Sequence, residues 1–429
     1  MSNKRPGVLI IVQNLPVPFD RRVWQEATSL QRAGIDAAVI CPKKKIYTAG
    51  YERLEGVDIY RYALPFEADR GVLGYFIEFV YCWLAALFLA VKAYRRRPFD
   101  VIHACNPPDT YFALALLFRI LGVRFVFDHH DLCPEMFVAK GREKGGVLYR
   151  GLLLLERLTL RSADLVIAVN ESHREIALRR GGISERSVAV VRSGPPRAWS
   201  SISAPDQSLK RGCKYMVMYL GEMCEQDGVE HLLRAIQHYQ RTGATDTLFV
   251  FVGGGPDLPR LRRLAEEMRL GPSVRFTGRV SNEELWTYLS TADVCVDPDP
   301  LTEWSNVSTM NKIIEYMAFG RPIVAFDLLE NRRSAEAAAI YVRPNDELEM
   351  ATAIRGLLLD PKQQQFMSKF GRQRFCEALA WENSERRLIA AYQKLLRLTC
   401  REASEANRFD DSHPLLSRPR GKNESVHSL

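Results

Sequence analysis

The stretch STMNKIIEYMAFGRPIVAFD, Ser308 to Asp327, sets two hydroxyls before a helical pattern, a lysine in its first turn and a glutamate one turn deeper. Ser308 or Thr309 can cap this helix, Gly320 and Pro322 end it, and IVAF reads as a buried strand. Lys312 and Glu315 then share one helix face. Free N–H groups at a helix start, with an ammonium nearby, make an anion site, and a carboxylate beyond them accepts hydrogen bonds from hydroxyls. Phosphate plus diol is the chemistry of a nucleotide. A solvated Lys–Glu pair has the same spacing, so other groups must converge on these two.

A second candidate is RFVFDHHD, which brings His130 and Asp131 to the carboxyl end of a strand, where cleft residues of parallel sheets sit. His129, His130 and Asp131 are adjacent, and neighbours along a strand point to opposite faces, which is poor geometry for a metal. A hydrogen-bonded structural histidine is the rival reading. Gly253, Gly254 and Gly255 follow a strand and let a backbone approach a nucleotide closely, although a tight turn explains them equally well.

The elements that must position these groups repeat along the chain. VLIIVQ, AAVICP, VIHACN, RFVFDHHD, DLVIAVN and VAVVRSG alternate with helical patterns, as in a doubly wound parallel sheet. Pro195 to Gly212 lacks periodicity and reads as a linker. YMVMYLG, TLFVFVGGG, VRFTGRV, DVCVDPD, PIVAFD and AAIYV form a second such series. The fold class is therefore α/β, two Rossmann-like domains facing a cleft. Domain one is assigned to residues 1–198, with a helix at about 382–398 packing back on it, and domain two to 199–381; the polar segment 401–429 reads as a disordered tail.

The chain has 429 residues, 47% of them hydrophobic, enough for more than one core. A formal charge of +8 suits an anionic substrate or an anionic membrane face, and nucleic acid is not an expected partner. The nine cysteines are scattered without a Cys-x-x-Cys pair, as in a reduced cytoplasmic protein, and the opening MSNKRPG leads straight into a strand without a signal peptide. Val72 to Val91 is long enough to cross a bilayer and is followed by Lys92 and Arg95, Arg96 and Arg97. Strands of one sheet cannot lie on opposite sides of a membrane, so the segment is expected to lie in the headgroup layer, or else to be a buried crossover helix.

Taken in order, NLPVPFDRRVWQEATSLQRAG, FDHHDLCPE, GEMCEQDGVEHLLRA, FVGGGP and STMNKIIEYMAFGRPIVAFD resemble glycosyltransferase family 4, over roughly Val8 to Leu398, and within it enzymes of bacterial surface-polysaccharide clusters. The resemblance implies a GT-B fold, a nucleotide-sugar donor held by domain two, a lipid-linked or glycan acceptor held by domain one, retention at the anomeric carbon, and neither cofactor nor metal. It implies that Glu315 binds the donor ribose, that Lys312 faces the diphosphate and that His130 stands beside the donor sugar. Gly221, Gly253, Gly254, Arg279, Val307, Ser308 and Thr309 complete the donor side, and Arg21, Arg22 and Asp131 the acceptor side. The place of the protein is then the cytoplasm, peripheral to the inner face of the cell membrane.

The sequence also departs from the family. Val307 stands where the family has its first glutamate, and Glu222 and Asp227 stand where many members have an arginine and a lysine; Arg192 or Arg279 is left to help neutralise the diphosphate. Glu303 is a candidate to replace the missing carboxylate. Asp297-Pro298-Asp299 imitates the metal motif of the other large glycosyltransferase fold but ends a strand here, and is read as cleft rim. The alternatives are a non-catalytic nucleotide-sugar-binding scaffold and a nucleotide-sugar epimerase.

Overall fold

The computed structural model describes residues 5–44, 46–64, 71–201 and 204–410. Strands β1 (Gly7–Ile11), β2 (Asp36–Pro42), β3 (Tyr51–Leu54), β4 (Val57–Tyr62), β5 (Val101–Cys105), β6 (Arg124–His129), β7 (Leu165–Ala168) and β8 (Val188–Val190) form one eight-stranded sheet in the order β3-β4-β2-β1-β5-β6-β7-β8. Strands β9 (Tyr215–Leu220), β10 (Thr247–Val252), β11 (Val274–Gly278), β12 (Val294–Asp297), β13 (Ile323–Phe326) and β14 (Ala339–Val342) form a second, in the order β11-β10-β9-β12-β13-β14. Both are the parallel sheets that the repeated apolar runs call for, with helices over both faces. The antiparallel hairpin of β3 and β4 is an addition to the strands read from the sequence. Its turn residues Glu55 and Gly56 both take positive φ, 48° and 85°, as a two-residue hairpin turn requires.

Helices α1 (Arg21–Arg32), α2 (Gly71–Arg96), α3 (Tyr111–Arg119), α4 (Cys133–Ala139) and α5 (Val147–Ser162) belong to the first domain. Asp20 caps α1, its carboxylate accepting from the Val23 N–H at 3.1 Å. Phe76–Arg96 of α2 is long and apolar enough to cross a membrane, with a mean hydropathy of 1.8. Yet β4 before it and β5 after it lie in one sheet, and Cys82, Ala86, Leu89 and Ala90 are buried in the core beneath it. The helix therefore lies along the sheet.

The chain crosses between domains twice at one place. A side chain at Gly194 would overlap the Leu379 carbonyl, and the Trp381 N–H donates to the Pro195 carbonyl at 3.1 Å. Within the stretch that reads as a linker, Trp199 is buried in the second core against Trp286 and Phe319. The final helix, Trp381–Asp410, returns to the first core through Leu388, Tyr392 and Leu395, and its Trp381 Nε1 donates to Ser29 Oγ at 3.1 Å. It runs on beyond Arg401, where the sequence reading begins a disordered tail, because no glycine or proline interrupts TCREASEANRFD. The rest of that tail, 411–429, lies outside the described residues.

Candidate active site

The carboxyl ends of the two sheets face each other across a cleft with a cavity of about 490 Å³. Domain one supplies Arg22, His130, Asp131 and His173; domain two supplies Gly221, Glu222, Asp227, Glu315 and the run from Ser308 to Lys312. Most of the residues singled out in the sequence thus meet in one place, but several have partners that change their role.

The helix carrying Lys312 and Glu315 is Asn311–Ala318, and its N-cap is Met310, which offers no side-chain cap. Neither expected hydroxyl does the capping: Ser308 Oγ donates to the Trp304 carbonyl at 2.7 Å, and Thr309 Oγ1 accepts from Asn170 Nδ2 at 3.0 Å. Uncapped, the first turn keeps its anion-binding capacity at the cavity wall. Lys312 is not the free ammonium expected to face a diphosphate. Its Nζ donates to Asp299 Oδ2 at 2.6 Å, lies 3.2 Å from Asp297 Oδ1 and sits 5.1 Å above the centre of the Tyr219 ring. Asp297 and Asp299, read as cleft rim, are fully buried beneath it. Burial and the neighbouring Asp297 push the Asp299 carboxyl well up, whereas Lys312 and bonds from Asp299 and Asn331 hold Asp297 low against its own burial. Lys312, Asp297 and Asp299 thus form one buried triad, a single ammonium set between two carboxyl groups.

Glu315 is positioned as expected at the cavity wall, and its Oε1 accepts from Arg21 Nη1 at 2.9 Å. Burial raises its pKa, and Arg21 and Lys312 pull it back. Gly221 is glycine for a steric reason: a Cβ there would stand 2.7 Å from Tyr219 Oη and 3.2 Å from Lys312 Cε.

The glycine run serves packing instead. A side chain at Gly253, where φ is +134°, would overlap the Gly221 carbonyl, and one at Gly255 would overlap the Met223 backbone. The close approach that these glycines permit is between two loops of domain two, and neither Gly253 nor Gly254 lines the cavity. Arg279 also lies outside it, exposed, 3.6 Å from Glu222 and 6.0 Å from the Phe19 ring centre of domain one.

On the first domain, β6 alternates as its sequence demands: Asp128 and His130 turn to one side and His129 to the other. Asp128 is fully buried, accepts Arg22 Nη2 at 2.8 Å and Nε at 3.2 Å, and lies 2.5 Å from His130 Nε2. Burial alone would raise its pKa; Arg22, His130 and His103 outweigh that and hold it well below the ordinary value. His130 lines the cavity, with its Nε2 held between this carboxylate and Arg22 Nε, 3.0 Å away. Arg22, expected to meet the acceptor, is committed to Asp128, to the Val191 carbonyl at 2.9 Å and to Ser193 Oγ at 3.1 Å. Arg21, likewise expected on the acceptor side, crosses to Glu315. Asp131 lines the cavity, its backbone N–H and carbonyl both tied to the Asn106 side chain.

The domains also touch beside the cavity. Asn170 Nδ2 donates to the Val307 carbonyl at 2.9 Å, so Val307 contributes backbone to the domain contact and not to the cavity wall. Ser172 Oγ donates to Glu330 Oε1 at 2.6 Å, and Arg192, a candidate for the diphosphate, lies 3.5 Å from Glu330 instead. Glu303, the proposed substitute carboxylate, is exposed and paired with Lys144.

The groups missed in the sequence are mostly buried acids: Asp128, Glu26, Asp299 in its role under Lys312, and Glu330. Asp128 was visible as the partner two residues before His130, the spacing that shares a strand face. Two clusters invite a metal reading. Glu26, Cys105, Asp128 and His130 have ligand atoms within 4.8 Å of one another, but Arg22 already sits on both carboxylates. Asp297 and Asp299 are likewise filled by Lys312. In both places a side-chain cation supplies the charge that an ion would bring.

Residues 20–194 match the family profile described as "Glycosyl transferase 4-like domain", and residues 214–360 that described as "Glycosyl transferases group 1". A 2-deoxystreptamine glucosyltransferase of Streptomyces kanamyceticus is 23% identical over 327 residues, 73% of this chain and 82% of that one. Among solved structures, a sucrose-phosphate synthase of Thermosynechococcus elongatus superposes with a TM-score of 0.72 at 20% identity, over 92% of this chain and 100% of that one. Anabaena Alr3699/HepE, in complex with UDP, superposes with a TM-score of 0.68 at 14% identity, over 90% of this chain and 100% of that one.

Proposed function

Because the chain belongs to the group 1, family-4-like glycosyltransferases, we propose that it transfers a sugar, with retention, from a nucleotide-sugar donor to a growing lipid-linked polysaccharide or glycan. The observation that carries this reading is the meeting of three groups in one cavity: the uncapped start of helix Asn311–Ala318, the Glu315 carboxylate and the His130 ring. The donor diphosphate lies on the helix start, the ribose hydroxyls on Glu315, and the transferred sugar beside His130. The UDP bound by the structurally similar Anabaena protein supports a nucleotide in this fold.

As the sugar–phosphate bond stretches, charge grows on the leaving oxygen and the helix start stabilises it. That oxygen takes the proton of the attacking acceptor hydroxyl on the same face, so configuration is retained and no side chain becomes a covalent nucleophile. The reaction so written calls on no metal, in keeping with the side-chain cations in both acidic clusters. Glu222 and Asp227 make the rest of the wall acidic, so the diphosphate depends on the helix start more than on any lysine or arginine.

A lipid-linked acceptor places the work at the cytoplasmic face of the membrane, where the apolar helix α2 supports peripheral attachment. The test is a panel of nucleotide sugars incubated with a membrane extract, scoring release of nucleoside diphosphate and entry of label into lipid. Label in the lipid fraction with one donor is the expected result. Label found only in soluble glycan would remove the lipid-linked acceptor, and no release with any donor would remove the proposal.

A further inference from the structure

Helices α2, α3 and α5 lie side by side on one face of the first sheet. Tyr94 of α2 meets Phe118 of α3 edge-on at 5.7 Å, and Thr159 of α5 donates to the Asp109 carbonyl just before α3 at 3.0 Å. Their inner faces share one core through Ala86, Leu114 and Leu160.

Their outer faces are apolar too. On α2, Ile77, Val80, Leu84 and Phe88 recur at three- and four-residue steps and form an outward stripe in which Phe88 is 70% exposed. Helix α3 adds Leu117 and, at its end, Ile120, 86% exposed; α5 adds Leu154 and Leu158 at 57% and 39%. Soluble surfaces scatter such residues singly, whereas three neighbouring helices presenting them together make an interaction face.

The charge on that face selects the partner. Lys92 and Arg95 of α2 and Arg150 and Arg157 of α5 are exposed, while Glu156 of α5 is buried against Arg180. A second copy of the chain would set these cations against their own kind. An anionic bilayer complements them, and the arginine stems can lie along the apolar surface with their heads in the phosphate layer.

We propose that the outer surface of α2, α3 and α5 together is a platform that lies in the headgroup layer of an anionic membrane, with α2 parallel to the bilayer. It rests on the glycosyltransferase reading only for what the membrane would offer the cleft; contact with lipid does not depend on turnover. None of these residues lines the cavity.

The test keeps α2 intact. Full-length chain is sedimented with phosphatidylcholine vesicles with and without phosphatidylglycerol, and compared with the pairs Leu117→Asp/Ile120→Asp and Leu154→Asp/Leu158→Asp. We expect wild type to bind the phosphatidylglycerol vesicles, and each pair to lower partition roughly tenfold or more while nucleoside diphosphate binding is unchanged. Pairs that partition like wild type would leave α2 acting alone and overturn the platform. So would a wild type that ignores anionic vesicles, or one that forms dimers dispersed by either pair. Normal vesicle binding without turnover would count against the reaction and leave the platform standing.

Discussion

Arg21 of domain one and Glu315 of domain two join across the mouth of the cleft, Nη1 to Oε1 at 2.9 Å, with Arg21 53% exposed and Glu315 only 13%. The carboxylate proposed to receive the ribose is therefore already held by the opposite domain, and the same arginine restrains the upward shift that burial gives it.

Arg21→Ala should move the pH dependence of donor binding. Without the guanidinium, burial raises the Glu315 pKa further, so the carboxyl takes up its proton at a higher pH as pH falls and loses its charge-assisted bonds sooner. Calorimetry with nucleoside diphosphate from about pH 8 down to about pH 5 should show the variant weakening at higher pH than wild type. Superimposable profiles would mean that Arg21 does not set the charge of Glu315.

Lys312→Ala should act first on stability. It leaves Asp297 and Asp299 buried without their cation, a loss of roughly 3–5 kcal/mol, read as a large fall in Tm. Adding Asp297→Asn and Asp299→Asn to that background should recover part of it. A Lys312→Ala protein that melts like wild type would contradict the buried triad.

Glu26 gives a pH-dependent stability. Burial lifts its pKa well above the ordinary value against the pull of Arg22, and the neighbouring Asp128 adds to the rise. For an acid raised on folding, the folded state binds the extra proton, so stability falls as pH rises from the unfolded value of about 4.5 toward the folded one. Glu26→Gln keeps the neutral form and should raise Tm increasingly above about pH 5, with little effect below. A gain that is the same at every pH would show that Glu26 is ionised in the folded protein.

The fold was legible because repeated β-branched runs, helix stops and spacing report local geometry. The hairpin of β3 and β4 escaped because Tyr51–Leu54 is short and half charged, and only its Glu-Gly turn gives it away. In the site, the positions of Glu315, His130, Asp131 and Gly221 were legible, and the partners were not. Lys312 and Glu315 share a helix, so their spacing suggested a common ligand. Asp299 comes from another strand end, and no periodicity indicates that it lies under the lysine. The glycines misled for a related reason: a residue without Cβ marks a close approach without saying what approaches, and here it is the loop of Gly221 and Met223.

The central claim is that a nucleotide sits between Glu315 and the uncapped start of its helix. Isothermal titration of wild type and Glu315→Gln with uridine and guanosine diphosphate in turn, alongside thermal unfolding of both proteins, tests it most directly. A carboxylate bonded to ribose hydroxyls contributes roughly 1.5–3 kcal/mol. We therefore expect wild type to bind one of the two nucleotides, and Glu315→Gln to bind it roughly ten- to a hundredfold more weakly with its fold intact. Equal affinity in a folded Glu315→Gln protein would contradict the claim.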